Sequence, residues 1–221
     1  MARVASVQAG PVRRPLAPST SAPAGQIDFR ALLGAEAWAR LPEAVRRRFG
    51  LHGPAAIIDY PGRMRVRANL AGRLLAQACR LIGTPLAPWT GEDVAVDVRV
   101  RLDGAALVWD RLYRFEGRAP VLVSSRKLAD AGGVLEMVRG GLGMALGVSE
   151  ENGALHFRSR GYLLRLGALR LPIPGLLTPG AAHVIHQDLG GGRFRFTLSF
   201  RHPWLGETFH QDGVFSDPDP A

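Results

Sequence analysis

The sequence predicts an α+β fold in one domain: N-terminal helices followed by a curled antiparallel β-sheet, half-barrel or barrel-like. Three observations carry that expectation. Helical spacing of apolar residues is confined to the stretch before the loop "TPLAPWTGED", and period-two alternation dominates after it. Glycine-rich turn signals punctuate the later part. Such a long run of strands tends to curl, with the helices on one opening or face.

Each element has its own signal. Asp28 is placed to cap "FRALLG", and Trp38, Leu41, Val45 and Phe49 recur near helical spacing, with Pro42 opening a second helix. "GRMRVR" reads as a short strand. "ANLAGRLLAQACRLIG" reads as a helix with Leu70, Leu74, Ala78 and Leu81 on one stripe and Gly83 ending it. In "VAVDVRVRL" the residues Val94, Val96, Val98, Val100 and Leu102 share a face, and Asp103-Gly104 supplies a hairpin turn. A two-residue turn there sets Val98 opposite Trp109 and Val96 opposite Arg111. "VLVSSRK" is a further strand. "VLEMVRGGLGMALGV" reads as one strand with Val134, Glu136, Val138, Leu142, Met144, Leu146 and Val148 on one face. "SEENG" turns the chain into "ALHFRSRGYLLRL". The prolines of "LPIPGLLTPG" rule out a central strand. "AAHVIHQDL", "RFRFTLSF" and "GETFHQDGVF" form a three-stranded meander.

Composition bounds the classes. The chain has 221 residues, 47% hydrophobic and 21% charged, the range of a globular domain with a real core. No run approaches the ~20 apolar residues of a membrane-spanning helix. Residues 1–25 are rich in Pro, Ala and Ser, carry no apolar signal core, and read as a disordered tail. The domain is expected over 26–216, with 217–221 as a second tail. The lone Cys79 excludes an internal disulfide and a cysteine-rich metal site, and cytoplasm is the expected location. The formal charge is +9, and Lys127 is the only lysine. Nine arginines between Arg40 and Arg80 face two acids, Glu43 and Asp59. That excess suits a solvated face or contact with an anionic membrane surface. No aromatic interleaving or nucleic-acid motif accompanies it, which argues against nucleic acid.

The order of "FRALLGAEAWARLPEAVRRRF", "WDRLYRF", "GGVLEMVRGGLGMAL", "RLPIPGLLTPG" and "RHPWLGETFHQDGVF" resembles the bacterial family called domain of unknown function 4166, over residues 27–215. Members of that family occur alone or fused to dehydrogenase-like domains. The resemblance therefore implies a dehydrogenase-like protein partner, and it supplies no activity and no catalytic residues. The chain carries no GxGxxG of its own after a strand.

Within "RHPWLGETFHQDGVF", residues 201–215, strand alternation puts Glu207 and His210 on opposite sides, so the pair does not ligate one metal. His210 and Asp212 fall on the solvent side. If Gly190-Gly191 and Trp204-Leu205 are two-residue turns, Phe194, Phe196, Leu198 and Phe200 face inward with Phe209 and Phe215. His183 and Gln211 then flank Leu198 inside, and Asp188 pairs outward with Arg193. Arg111, between Trp109 and Tyr113, also falls on an inner face, as do Glu136 and Glu207. Buried charges need partners, and Arg111 and Glu136 suit one another. Either this is a core ion pair with a satisfied histidine, or it is an apolar pocket with a few convergent polar groups. The candidate pocket is Trp109, Arg111, Tyr113, Glu136, His183, Glu207 and Gln211, with no metal and no cofactor. The leading expectation is binding of a small apolar or amphipathic ligand. The alternatives are an enzyme using His183 as general acid or base in the same cavity, or a docking module for a dehydrogenase-type partner or an anionic membrane.

Overall fold

The computed structural model describes residues 26–51, 53, 56–82, 86–130 and 133–218; the tail expected over 1–25 lies outside them. Three short helices open the described chain: α1 (Phe29–Leu33), α2 (Ala35–Arg40) and α3 (Glu43–Phe49). The Asp28 carboxylate accepts a hydrogen bond from the Ala31 amide at 3.0 Å and starts α1, as its sequence position predicts. After β1 (Ile57–Ala68) comes α4 (Leu70–Ala78), capped by Asn69 Oδ1 accepting from the Gly72 amide at 2.9 Å. Ten further strands follow: β2 (Gly91–Asp103), β3 (Ala106–Arg114), β4 (Val121–Asp130), β5 (Gly133–Met137), β6 (Leu142–Glu151), β7 (Ala154–Leu166), β8 (Leu169–Ile173), β9 (Ala181–Gly190), β10 (Arg193–His202) and β11 (Gly206–Ser216).

All pairings are antiparallel. They run β6-β5-β4-β3-β2-β1-β11-β10-β9-β7, and a β6–β7 pairing joins the two ends. Ten strands therefore close into a barrel, and β8 is an extra ribbon on the far half of β7. This corrects the α+β expectation of N-terminal helices with a curled sheet, half-barrel or barrel-like: the protein is mostly β, and its barrel is closed. Two physical reasons account for the difference. Helices α1 to α3 have only 5, 6 and 7 residues, too few to build a layer of their own, and Gly34 at φ +80° separates the first two. "VLEMVRGGLGMALGV" is two strands, because Gly140 and Gly141 both adopt positive φ and fold it into the β5–β6 hairpin. Val134 pairs with Leu146 and Glu136 with Met144, so the even residues still share one face. Strand β7 then has 13 residues, enough to pair β6 along one edge and both β9 and β8 along the other.

The two ends of the barrel are closed differently. The hairpins at Gly104-Ala105, Asn152-Gly153 and Gly191-Gly192 lie at one end, under α1 to α3. There Phe29, Phe49 and Phe157 meet edge-on or tilted with centroids 5.3–5.9 Å apart. Arg48, with a side chain 6% exposed, donates to both carboxylate oxygens of Asp217 at 2.6 and 2.7 Å and to Asp188 at 2.9 Å. The guanidinium thus ties α3 to β9 and to the chain just beyond β11. Asp188 therefore serves this tie, not the outward pairing with Arg193 that an even register would give; it stands opposite Phe194.

The opposite end carries α4 and the Pro174–Gly180 segment. The expected apolar stripe of Leu70 and Leu74 faces solvent instead, 74% and 65% exposed. Helix α4 turns Gly72, Leu75, Ala76 and Cys79 to the barrel, because a glycine at 72 lets its backbone lie against the Thr208 carbonyl. Six of the nine arginines of 40–80 are held in ion pairs: Arg40, Arg47, Arg48, Arg63, Arg65 and Arg67 all pair with carboxylates. No helix among the described residues is long and apolar enough to cross a membrane.

Two stability measurements check this packing. A Cβ at Gly72 would stand 1.8 Å from the Thr208 carbonyl oxygen, so Gly72→Ala is expected to destabilise the barrel by ~1–3 kcal/mol in urea unfolding. Gly161→Ala, where a Cβ meets nothing within 4 Å, serves as the neutral control. Arg48→Met leaves Asp188 without its cation and Asp217 with Arg47 alone at the capped end, and is expected to cost ~3–5 kcal/mol.

Candidate functional site

The barrel interior holds a cavity of about 280 Å³, walled mainly by Val98, Val100, Met144, Leu146, Phe196 and Leu198. Its central polar groups come from β3, β4 and β5 and from β9 across the barrel, and Arg48, Tyr60, Tyr162 and Thr178 also line it. Register places the central groups. Trp109 stands opposite Ser125 and Val100, Arg111 opposite Val98, and Lys127 opposite Glu136. The β2–β3 turn is Gly104-Ala105, one residue later than Asp103-Gly104, which moves each partner by two and leaves the faces unchanged.

Glu136 is the centre of the cluster. Its Oε1 accepts from Lys127 Nζ at 3.0 Å and lies 3.7 Å from Arg111 Nη2, with all three side chains 12–14% exposed. Arg111 Nη2 donates to Ser125 Oγ at 2.7 Å, and the Lys127 ammonium sits 4.8 Å from the centre of the Trp109 ring. Burial opposes the Glu136 charge, but Lys127, Arg111 and the Ser125 hydroxyl together outweigh it and hold the carboxyl at about 2. Burial lowers the Lys127 ammonium, as does Arg111, and Glu136 only partly restores it. One carboxylate faces two cations, so the cluster carries a net positive charge. Among the described residues, the Arg111 Nε and Trp109 Nε1 groups are buried without hydrogen-bond partners.

His186, on β9, is a further polar group in the wall. It is 5% exposed, its Nδ1 has no partner, and the rings of Phe49, Trp109 and Phe196 surround it at 4.9, 5.7 and 5.2 Å. Burial, with Lys127, Arg48 and Arg111 nearby, pushes the imidazole down to about 3. At neutral pH it is uncharged. Since Phe49 of α3 stacks on Trp109, the polar cluster sits beneath the helical cap. The cavity extends from there to Leu75, Cys79, Leu86 and Leu177 at the other end. Leu177 lines the cavity yet is 74% exposed, which marks the entrance.

Of the residues singled out from the sequence, Trp109, Arg111 and Glu136 meet in this wall. Tyr113 and Gln211 are buried but satisfy one another. The Gln211 amide donates to the Tyr113 hydroxyl at 3.0 Å, and the pair braces β3 against β11 across the interior, outside the cavity lining. His183 is on the outer face. Its Nε2 lies 2.9 Å from His156 Nδ1, and the two rings stack. The turn is Gly191-Gly192, followed by a bulge between Arg193 and Phe194, so Leu198 pairs with Val184 rather than His183. That odd shift of one residue exchanges the faces of β9 and brings His186 in. Glu207 is also outside, 3.6 Å from His210 Nδ1, on the same side as the histidine expected to oppose it. A bulge at Thr208 resets the alternation there: Arg201 pairs with Glu207 and Phe200 with Phe209.

The sequence reading did not place Lys127, Ser125 and His186 in the pocket. The first two had a signal. They share the parity of Val123 in "VLVSSRK", the strand that pairs with the inward residues Trp109 and Arg111. For His186 the sequence offers no comparable signal, since its face depends on the bulge.

The His186 environment sets a pH dependence. In the unfolded chain the imidazole gains a proton below about pH 6.5, whereas the folded state resists until about 3. The unfolded state therefore binds the extra proton, and stability is lost as pH is lowered across that window, by about 1.4 kcal/mol per pH unit. His186→Phe is expected to remove that slope. Urea unfolding of both proteins at pH 7, 6, 5 and 4 measures the difference; parallel profiles would place His186 in contact with water.

No curated protein and no solved structure matches the chain closely enough to count as similar. A family model does match, the one described as "Domain of unknown function (DUF4166)", over residues 41–215. With nearly the whole barrel inside that match, which starts just after α2 and runs to Phe215 in β11, the chain belongs to the DUF4166 family.

Proposed function

We propose that the barrel binds a small, largely apolar molecule with an acidic or carbonyl head group. The observation that carries this reading is the cavity of about 280 Å³, apolar along its length and net positive at its capped end. Small-ligand sites have this makeup: apolar walls for affinity, and a few placed polar groups for orientation. The unpartnered Arg111 Nε and Trp109 Nε1 are donors, and a carboxylate or carbonyl oxygen supplies what they lack. A ligand would enter between α4 and Leu177, pass Leu86 and Leu198, and set its head beneath Phe49.

A second reading, acid–base catalysis in the same cavity, is favoured by His186. A neutral imidazole with a free Nδ1 can accept a proton from a bound molecule, and the ion cluster nearby would stabilise the anion that results. The role that the sequence reading gave to His183 would pass to His186.

Decanoate tests the binding reading by titration calorimetry. Wild-type protein should bind it, and Arg111→Met should weaken binding by ~1–3 kcal/mol through loss of a buried hydrogen bond to a charge. His183→Phe, on the outer face, should leave the affinity unchanged. Equal losses from the two variants, or no binding by the wild type, would overturn the reading.

A further inference from the structure

The chain holds 28 basic residues besides histidine, and 27 of them are arginine. Arginine supplies the cation at exposed pairs such as Arg63–Asp93 and Arg99–Asp59 and at the buried tie of Arg48. The single lysine is buried in the cavity wall. A guanidinium supplies the same charge with more donors, and would serve a plain ion pair with Glu136 at least as well. What arginine lacks is an amine that can lose its proton and act as a nucleophile.

We propose that Lys127 is a reacting amine, which captures an apolar aldehyde or ketone in the cavity as a reversible imine. The inference rests on the binding reading above and names the substrate class: a carbonyl compound whose remainder is apolar. The geometry supplies each part. Lys127 Nζ lies 3.0 Å from Glu136 Oε1, which holds the nitrogen in place while burial favours release of one ammonium proton to solvent. The freed electron pair attacks the carbonyl carbon and forms a C–N bond. A proton returned from solvent, with the second nitrogen-bound proton, converts the carbonyl oxygen to water, which leaves as the C–O bond breaks. The product is a protonated imine with the charge of the original ammonium, and Glu136 is its counter-ion. No oxidant or reductant is consumed. Arg111 Nη2 donates to Ser125 and lies 3.7 Å from Glu136, so the carboxylate keeps a partner while Lys127 reacts. The Trp109 face, 4.8 Å from Nζ, accommodates the cation before and after the reaction. Burial lowers the ammonium's hold on its proton, which raises the share of free amine.

The test uses the wild-type chain with decanal and sodium cyanoborohydride, which reduces a protonated imine to a stable secondary amine. Peptide mass mapping then locates the decyl group. With one lysine, the competing amine is the chain's N-terminus. Modification of Lys127 is expected to be about ten-fold faster than that of the N-terminal amine, and about ten-fold faster than that of Lys127 in the urea-unfolded chain. Excess decanoate should suppress it. Labelling of Lys127 no faster than either control would overturn the proposal, as would labelling that decanoate does not slow. Calorimetry with decanoate on the same sample separates the two ideas: binding without labelling overturns the imine and leaves the binding site standing. Absence of both removes the site itself.

Discussion

Ring closure through the β6–β7 pairing is the constraint from which the rest follows. Once ten strands are joined edge to edge, every residue is assigned to the interior or to the outside by its parity along the strand. An eight-stranded barrel is about wide enough for its side chains to fill it. A ring of ten is wider, so the inward residues do not meet across the middle at every level. Where they do meet, as at Tyr113 and Gln211, the interior is solid. Where they do not, the cavity remains.

Closure also explains why charges are found inside at all. Arg111, Lys127 and Glu136 lie on β3, β4 and β5, three neighbours whose inner faces converge. None of the three would be tolerable alone in that setting, since an unpaired buried ion costs several kcal/mol. Together they leave one positive charge in excess, beside donors that find no partner among the described residues. An interior selected for stability alone would be expected to place apolar side chains there. The asymmetry of the two ends complements this arrangement. Arg48 and the Phe29–Phe49–Phe157 cluster seal the end nearest the charges, while Leu177 and α4 leave the far end accessible.

The sequence was most legible where hairpins are short and regular. The shared faces of Val94 to Val100, and of Phe194 to Phe200, follow from alternation, and those residues are buried or line the cavity. A turn misplaced by one residue at Gly104 did no harm, because it moves each pairing by two and keeps parity. Reading β5 and β6 as one strand did no harm to the faces either, since Val134 and Leu146 are both even. It did hide a strand, and with it the closure of the barrel. The errors in the site come from bulges. One after Arg193 turned His183 out and His186 in, and one at Thr208 put Glu207 beside His210.

The amino-acid sequence by itself therefore determined most of the strands, most of their inward faces and the presence of buried charge, because alternation and the cost of exposing apolar side chains are local properties. It also determined the capped start of α1, because Asp28 and the Ala31 amide are three residues apart. Tertiary structure alone decided that the sheet closes, that Lys127 joins Arg111 at Glu136, and that His186 is the histidine inside. Those outcomes depend on pairings between distant strands and on single inserted residues. An insertion of one residue reverses every side chain beyond it, and nothing in the local sequence marks which residue is the extra one.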